Sequence, residues 1–141
     1  MMGTSAKKFF QQLWDIDKQI SVKMEQIERL KSLATKVTAA MSEVNSKPSG
    51  VSRSTEDTMA KIIDLQNELD AEVRQLMDLK CEAYAILRLI PNEKQRRSLE
   101  YRYLNCNTME KVGEKLGCST KWAREIINAA LEEAEKIMKK C

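Results

Sequence analysis

The stretch that decides the fold is TMEKVGEKLGCSTKWAREIINAAL, Thr108–Leu131. Thr108 is a helix N-cap residue, and Val112 and Leu116 follow it at helical spacing. Gly117 comes next, where a helix end turns into the left-handed conformation that glycine adopts without a Cβ penalty. Ser119 then caps a second helix, from Thr120 to about Lys139, with Ala123, Ile126, Ile127, Ala130, Leu131, Ala134, Ile137 and Met138 as its apolar set. Gly113 and Ala123 have the small size that two closely crossing helices need. Helix, tight glycine turn and Ser-capped helix, in that order, predict a helix-turn-helix. Such a motif places the N-terminal end of its second helix in the DNA major groove.

The side chains offered there are Thr120, Lys121, Trp122, Arg124, Glu125 and Asn128. Lys121 and Arg124 lead, because Arg holds guanine O6 and N7 through two donors and Lys reaches the same acceptors or a phosphate. Thr120 suits a thymine methyl, Glu125 a cytosine amino group and Asn128 an adenine. Glu125 is equally an i,i+4 partner for Lys121. Trp122 either stacks on sugar and thymine methyl or covers the helix crossing. Arg96, Arg97, Arg102, Lys111, Lys115 and Ser119 are candidates for phosphate contacts, which position a protein without reading sequence. Tyr101 and Tyr103 read as core or boundary residues, and Cys106 and Cys118 as small residues flanking the turns.

Upstream, Pro91 stops a long helix and Asn92 to Gln95 form a capping box for the next one. That helix runs to about Leu104 with Leu99, Tyr103 and Leu104 on one side, and Asn105-Cys106-Asn107 makes a turn. Before Pro91 lie two amphipathic stretches. The first, from about Thr4 to Asn45, carries Phe10, Leu13, Ile16, Ile20, Met24, Ile27, Leu30, Ala34, Val37, Met41 and Val44 at steps of three and four. Glu25 and Arg29 form an i,i+4 pair on its polar face. The second, from about Glu56 to Ile90, carries Met59, Ile62, Gln66, Leu69, Val73, Leu76, Lys80, Ala83, Leu87 and Ile90 at heptad spacing. Between them, 45–55 reads as a Ser-rich linker broken by Pro48 and Gly50, with Ser54 or Thr55 as the next N-cap.

The expected fold is therefore all-α: a long antiparallel, coiled-coil-like helical hairpin over 1–90, followed by a helix-turn-helix domain over 91–141. The hairpin is expected to serve oligomerisation or partner docking. A module of about 50 residues is marginal alone, so packing on the hairpin should matter.

Composition narrows the function. The chain has 141 residues, 32% of them charged and 5% aromatic, with four Gly, two Pro and no His. The absence of His removes the usual general base and the commonest zinc ligand. Cys81, Cys106, Cys118 and Cys141 contain no C-x-x-C pair, so neither a metal nor a cofactor is expected. No Gly-rich phosphate loop is present, and neither an enzyme nor a small-molecule substrate is expected. No signal segment or long apolar run appears, which points to a reduced, cytoplasmic protein without a membrane span. The net charge is +3, but residues 94–124 hold eight basic residues against three acidic ones. That excess suits a polyanion.

Ile90-Pro91, Arg97, Leu99, Arg102-Tyr103, Thr108, Val112-Gly113, Leu116-Gly117, Ser119, Ala123-Arg124, Ile126 and Ala130-Leu131 together resemble the region-four DNA-binding module of bacterial sigma factors. The resemblance covers about 50 residues, from 90 to 139. Ala123 stands where the family often has Val, and Trp122 where a polar or basic residue is common. The whole chain is also similar to small phage and prophage proteins of the ArpU/RinA late-gene regulator type. The resemblance implies control of transcription in a phage or prophage, and with the motif the expected function is sequence-specific binding to double-stranded DNA. The hairpin is expected to join copies into a homo-oligomer, which suits binding to two half-sites, or to dock on RNA polymerase. A phage DNA-packaging recognition subunit and a helical adaptor that binds protein only are the alternatives.

Overall fold

The computed structural model describes residues 4–44 and 48–140, with side chains described at 5–36 and 55–140. The protein is all-α, and no strand occurs among the described residues. Helix α1 spans Thr4–Val44 and α2 spans Pro48–Arg88, each about 60 Å long at 1.5 Å per residue. Helices α3, Glu93–Leu99, α4, Met109–Leu116, and α5, Thr120–Lys140, follow.

The second long helix begins earlier than the sequence suggests. Residues 48–55 are helical, so the expected cap at Ser54 or Thr55 is replaced by a start at Pro48. Proline is well suited to a first helical position, where its missing N–H would have had no partner. The remainder of the expected linker, 45–47, lies outside the described residues, as do the side chains of Val37, Met41 and Val44.

Contacts divide the chain into two compact units, Met1–Asp17 with Gln75–Cys141, and Lys18–Arg74. This division differs from one at residue 90, because both long helices contribute to both units. In the first unit the core joins Ala6, Phe10, Leu13 and Ile16 of α1 to Leu76, Ala83 and Leu87 of α2 and to Ile90. Leu99, Tyr103, Leu104 and Val112 complete it with Ala123, Ile127, Ala130, Leu131 and Ala134 of α5. The Phe10 and Tyr103 rings lie 5.7 Å apart between centroids. The three short-spaced helices thus do not close their own core. The start of α1 and the end of α2 fill it, which answers the marginal size of a 50-residue module.

Glu135 carries an ionisable side chain, yet it is 2% exposed. Its carboxylate oxygen Oε2 accepts the Ala6 N–H at 2.7 Å. The first N–H groups of a helix have no intrahelical partner and carry partial positive charge, so a buried anion there satisfies a donor and interacts favourably with the helix dipole.

In the second unit only Ile27 and Ile62 are buried among the described residues. Lys23 of α1 pairs with Glu72 of α2 and, at 3.6 Å, with Glu68. The hydrogen bond to Glu72 and the charges of both acids hold the Lys23 ammonium pKa above its ordinary 10.5.

Candidate nucleic-acid interface

The turn that aims α5 is built from three short-range devices. Thr108 accepts the Lys111 N–H at 3.3 Å and starts α4. At its end Gly117 adopts φ +74, with Cys118 N–H donating to Gly113 O at 2.8 Å and Gly117 N–H to Glu114 O at 3.2 Å. This 6→1 and 5→2 pair is the Schellman arrangement. Ser119 Oγ then accepts the Trp122 N–H at 3.1 Å, and Ser119 O accepts from Ala123 at 2.9 Å. A Cβ on Gly113 would stand 2.8 Å from the Cys118 carbonyl oxygen, so α4 approaches the turn too closely for any side chain there. Gly113 is small because of the turn's backbone, whereas Ala123 is small within the core, at 0% exposure.

Upstream the Asn92 cap also forms, with Oδ1 accepting the Gln95 N–H at 3.1 Å. The helix that it starts reaches Leu104 as expected, but its last five residues, Glu100–Leu104, wind as a π-helical turn. Asn105 N–H donates to Glu100 O at 2.9 Å, an i→i+5 bond. The wider turn takes consecutive Tyr103 and Leu104 into the core. Cys106 follows with φ 53, and Asn107 closes the loop by donating from both its backbone and its side-chain nitrogen to Tyr101 O.

Along α5, Lys121, Arg124, Glu125 and Asn128 are all exposed. At 100° per residue they form one stripe, opposite the buried face of Ala123, Ile127, Ala130 and Ala134. Lys121 and Arg124 make no ion pair among the described residues, so of the two readings of Glu125 the i,i+4 pair with Lys121 does not form. Thr120 is half-buried beside the cap. Trp122 is 54% exposed and flanks a shallow groove with Asn92, Lys94 and Gln95. It therefore does not serve as a cover sealed into the helix crossing.

The six phosphate candidates divide. Arg97, Lys111 and Lys115 are exposed. Arg97 has a surface ion pair with Glu93 at 2.5 Å, Lys111 one with Glu114 at 3.5 Å, and Lys115 lies 5.2 Å from the Tyr101 ring centre. Exposed ion pairs of this kind are weak. Ser119 is committed to its cap but is exposed. Arg96 and Arg102 are half-buried and hydrogen-bonded within the protein instead. Arg96 is half-buried and donates to Ile90 O at 2.8 Å, satisfying a carbonyl just beyond the end of α2. Arg102 donates to Asn107 O at 2.9 Å and stacks 4.3 Å from the Trp14 ring centre. Its basic character looked like a DNA signal in sequence; the structure uses it to tie the 105–107 loop to α1.

The described residues hold no group of three or more Cys, Asp or Glu side chains placed to bind a metal ion. No helix among them is long and apolar enough to cross a membrane. The chain matches no family model, no curated protein and no solved structure.

Proposed function

We propose that the protein is a sequence-specific DNA-binding regulator of transcription. In this reading α5 enters the major groove, with Lys121 and Arg124 on base edges, and Thr120, Trp122, Glu125 and Asn128 around them. Arg97, Lys111, Lys115 and Ser119 lie against phosphates. The observation that carries the reading is the stripe on α5: two cations, exposed and unpaired, at the start of a helix fixed by a capped glycine turn. Leaving them unpaired gains the fold nothing, while an anion would gain from them at once. The sequence resemblance to ArpU/RinA-type proteins supports reading this regulator as one of a phage or prophage. There the long helices, paired as a hairpin, join copies or dock on RNA polymerase.

The test is selection of bound fragments from the source genome, followed by affinity measurements on the selected site. Lys121→Ala and Arg124→Ala are each expected to cost about 1–3 kcal/mol on that site. The logarithm of affinity should fall with the logarithm of salt by about 0.9 for each phosphate neutralised. Unchanged affinity for every DNA in both variants refutes the assignment of α5 as the reading helix.

A further inference from the structure

We propose that one face of the 18–74 unit is the seat of a second copy of this chain, packed about a two-fold axis that runs along the helices. On this face a shallow groove runs between α1 and α2, floored by Leu30, Leu33 and Leu65 and edged by Arg29, Lys61 and Asp64. Leu33 is 48% exposed and Val22, on the same side of α1, is 53% exposed. With only Ile27 and Ile62 buried among the described residues, the described apolar residues of this unit are poorly covered by its own two helices. Each side chain fully removed from water contributes only about 1.5–3 kcal/mol, against about 1–2 kcal/mol for ordering each residue's backbone.

Charge selects the occupant. The groove edge carries both signs, which suits neither a polyanion nor an acidic or basic peptide. Arg29 has no ion pair among the described residues: the i,i+4 bond to Glu25 suggested by the sequence is not formed, and Asp64 is equally unpaired. Lys23 meets Glu68 and Glu72, and the groove brings Arg29, Leu30 and Leu33 together with Lys61, Asp64 and Leu65, so positions on the two helices run in opposite directions and Arg29 lies near the level of Asp64. A two-fold axis along the helices sets α1 of one copy over α2 of the other without changing level. Arg29 of each copy then meets Asp64 of the other, twice, as an isologous interface requires. Area fits as well. Two helical segments about 30 Å long and about 20 Å across together offer roughly 600 Å² per copy, or about 1,200 Å² in total, the lower end of specific interfaces.

The inference names the surface for the self-association in the proposed function and rests on that part of the reading. The experiment is light scattering or sedimentation of the full chain at micromolar concentration, without DNA. Its failure therefore leaves groove reading by α5 intact, and loss of DNA binding leaves the dimer intact. The wild type should be a dimer. Leu33→Glu, an exposed position, should weaken it by at least about tenfold with helicity unchanged. Arg29→Asp and Asp64→Arg should each weaken it, and the double exchange should restore it. Ile63→Glu, on the opposite face, should leave the mass unchanged. A monomeric wild type, a dimer indifferent to Leu33→Glu, a dimer lost with Ile63→Glu, or a double exchange without rescue each overturns the proposal.

Discussion

Replacing Gly113 by Ala tests the turn on which the orientation of α5 depends. The added methyl would stand 2.8 Å from the Cys118 carbonyl oxygen and 3.3 Å from the Ser119 carbonyl carbon. Both are backbone atoms, and Cys118 N–H is bonded back to Gly113 O itself at 2.8 Å. No side chain is free to swing away, so the turn must move or its hydrogen bond must stretch. Overpacking of this kind costs about 1–3 kcal/mol. Ala in a helix interior recovers up to about 1 kcal/mol over Gly. With that recovery the net loss is about 0–2 kcal/mol, centred near 1 kcal/mol. Gly117 fails for a different reason. A Cβ there meets nothing within 4 Å, but φ is +74. Gly117→Ala should lose about 1–2 kcal/mol from the left-handed backbone alone, and Gly117→Asn less, since Asn visits that region more readily. Urea denaturation of the full chain, followed by far-UV circular dichroism, reads both. With a slope of about 1–3 kcal/mol per molar, a loss of about 1 kcal/mol in Gly113→Ala should lower the midpoint by about 0.3–1 M. A Gly113→Ala protein more stable than the wild type refutes the close approach, because relief of glycine's entropy would then act unopposed.

Three further perturbations follow from the same geometry. Glu135→Ala strips the buried Ala6 N–H of its acceptor and should cost about 1–3 kcal/mol in denaturation, whereas Glu135→Gln keeps an acceptor and should cost less. Arg102→Ala should destabilise by about 1–3 kcal/mol through the lost bond to Asn107 O and the Trp14 stack. A variant of unchanged stability but weaker DNA binding would return Arg102 to the phosphate contacts. Burial raises the Tyr103 phenol above its ordinary 10.0, and the nearby Arg102 cation offsets this in part. The neutral phenol is the form favoured by the fold, so its contribution is whole below about pH 10 and is lost as pH rises through the higher folded value. Absorbance titration should show one late phenolate that disappears in Tyr103→Phe.

The signals legible in the sequence were those whose partners lie within a few residues. The Asn92, Thr108 and Ser119 caps each reach three residues on, and the Gly117 turn closes within six. Apolar spacing gave the buried side of α5, and its complement, the stripe of Lys121, Arg124, Glu125 and Asn128, followed from the same period. The π-helical turn was not legible, because Glu100–Leu104 has ordinary helix formers and its winding answers to the core around Tyr103 and Leu104.

Amino-acid order alone determined the helices, the caps at Asn92, Thr108 and Ser119 and the glycine turn, since these are local free-energy choices made by each backbone stretch with its own neighbours. Tertiary structure decided which charged residues are surface and which are internal. Glu135 accepts from a residue 129 positions away, and Arg102 stacks on Trp14. It also decided that α1 and α2 each serve two compact units. A carboxylate or guanidinium reads the same in sequence whether water or a helix end receives it; only the packing of distant segments chooses between them.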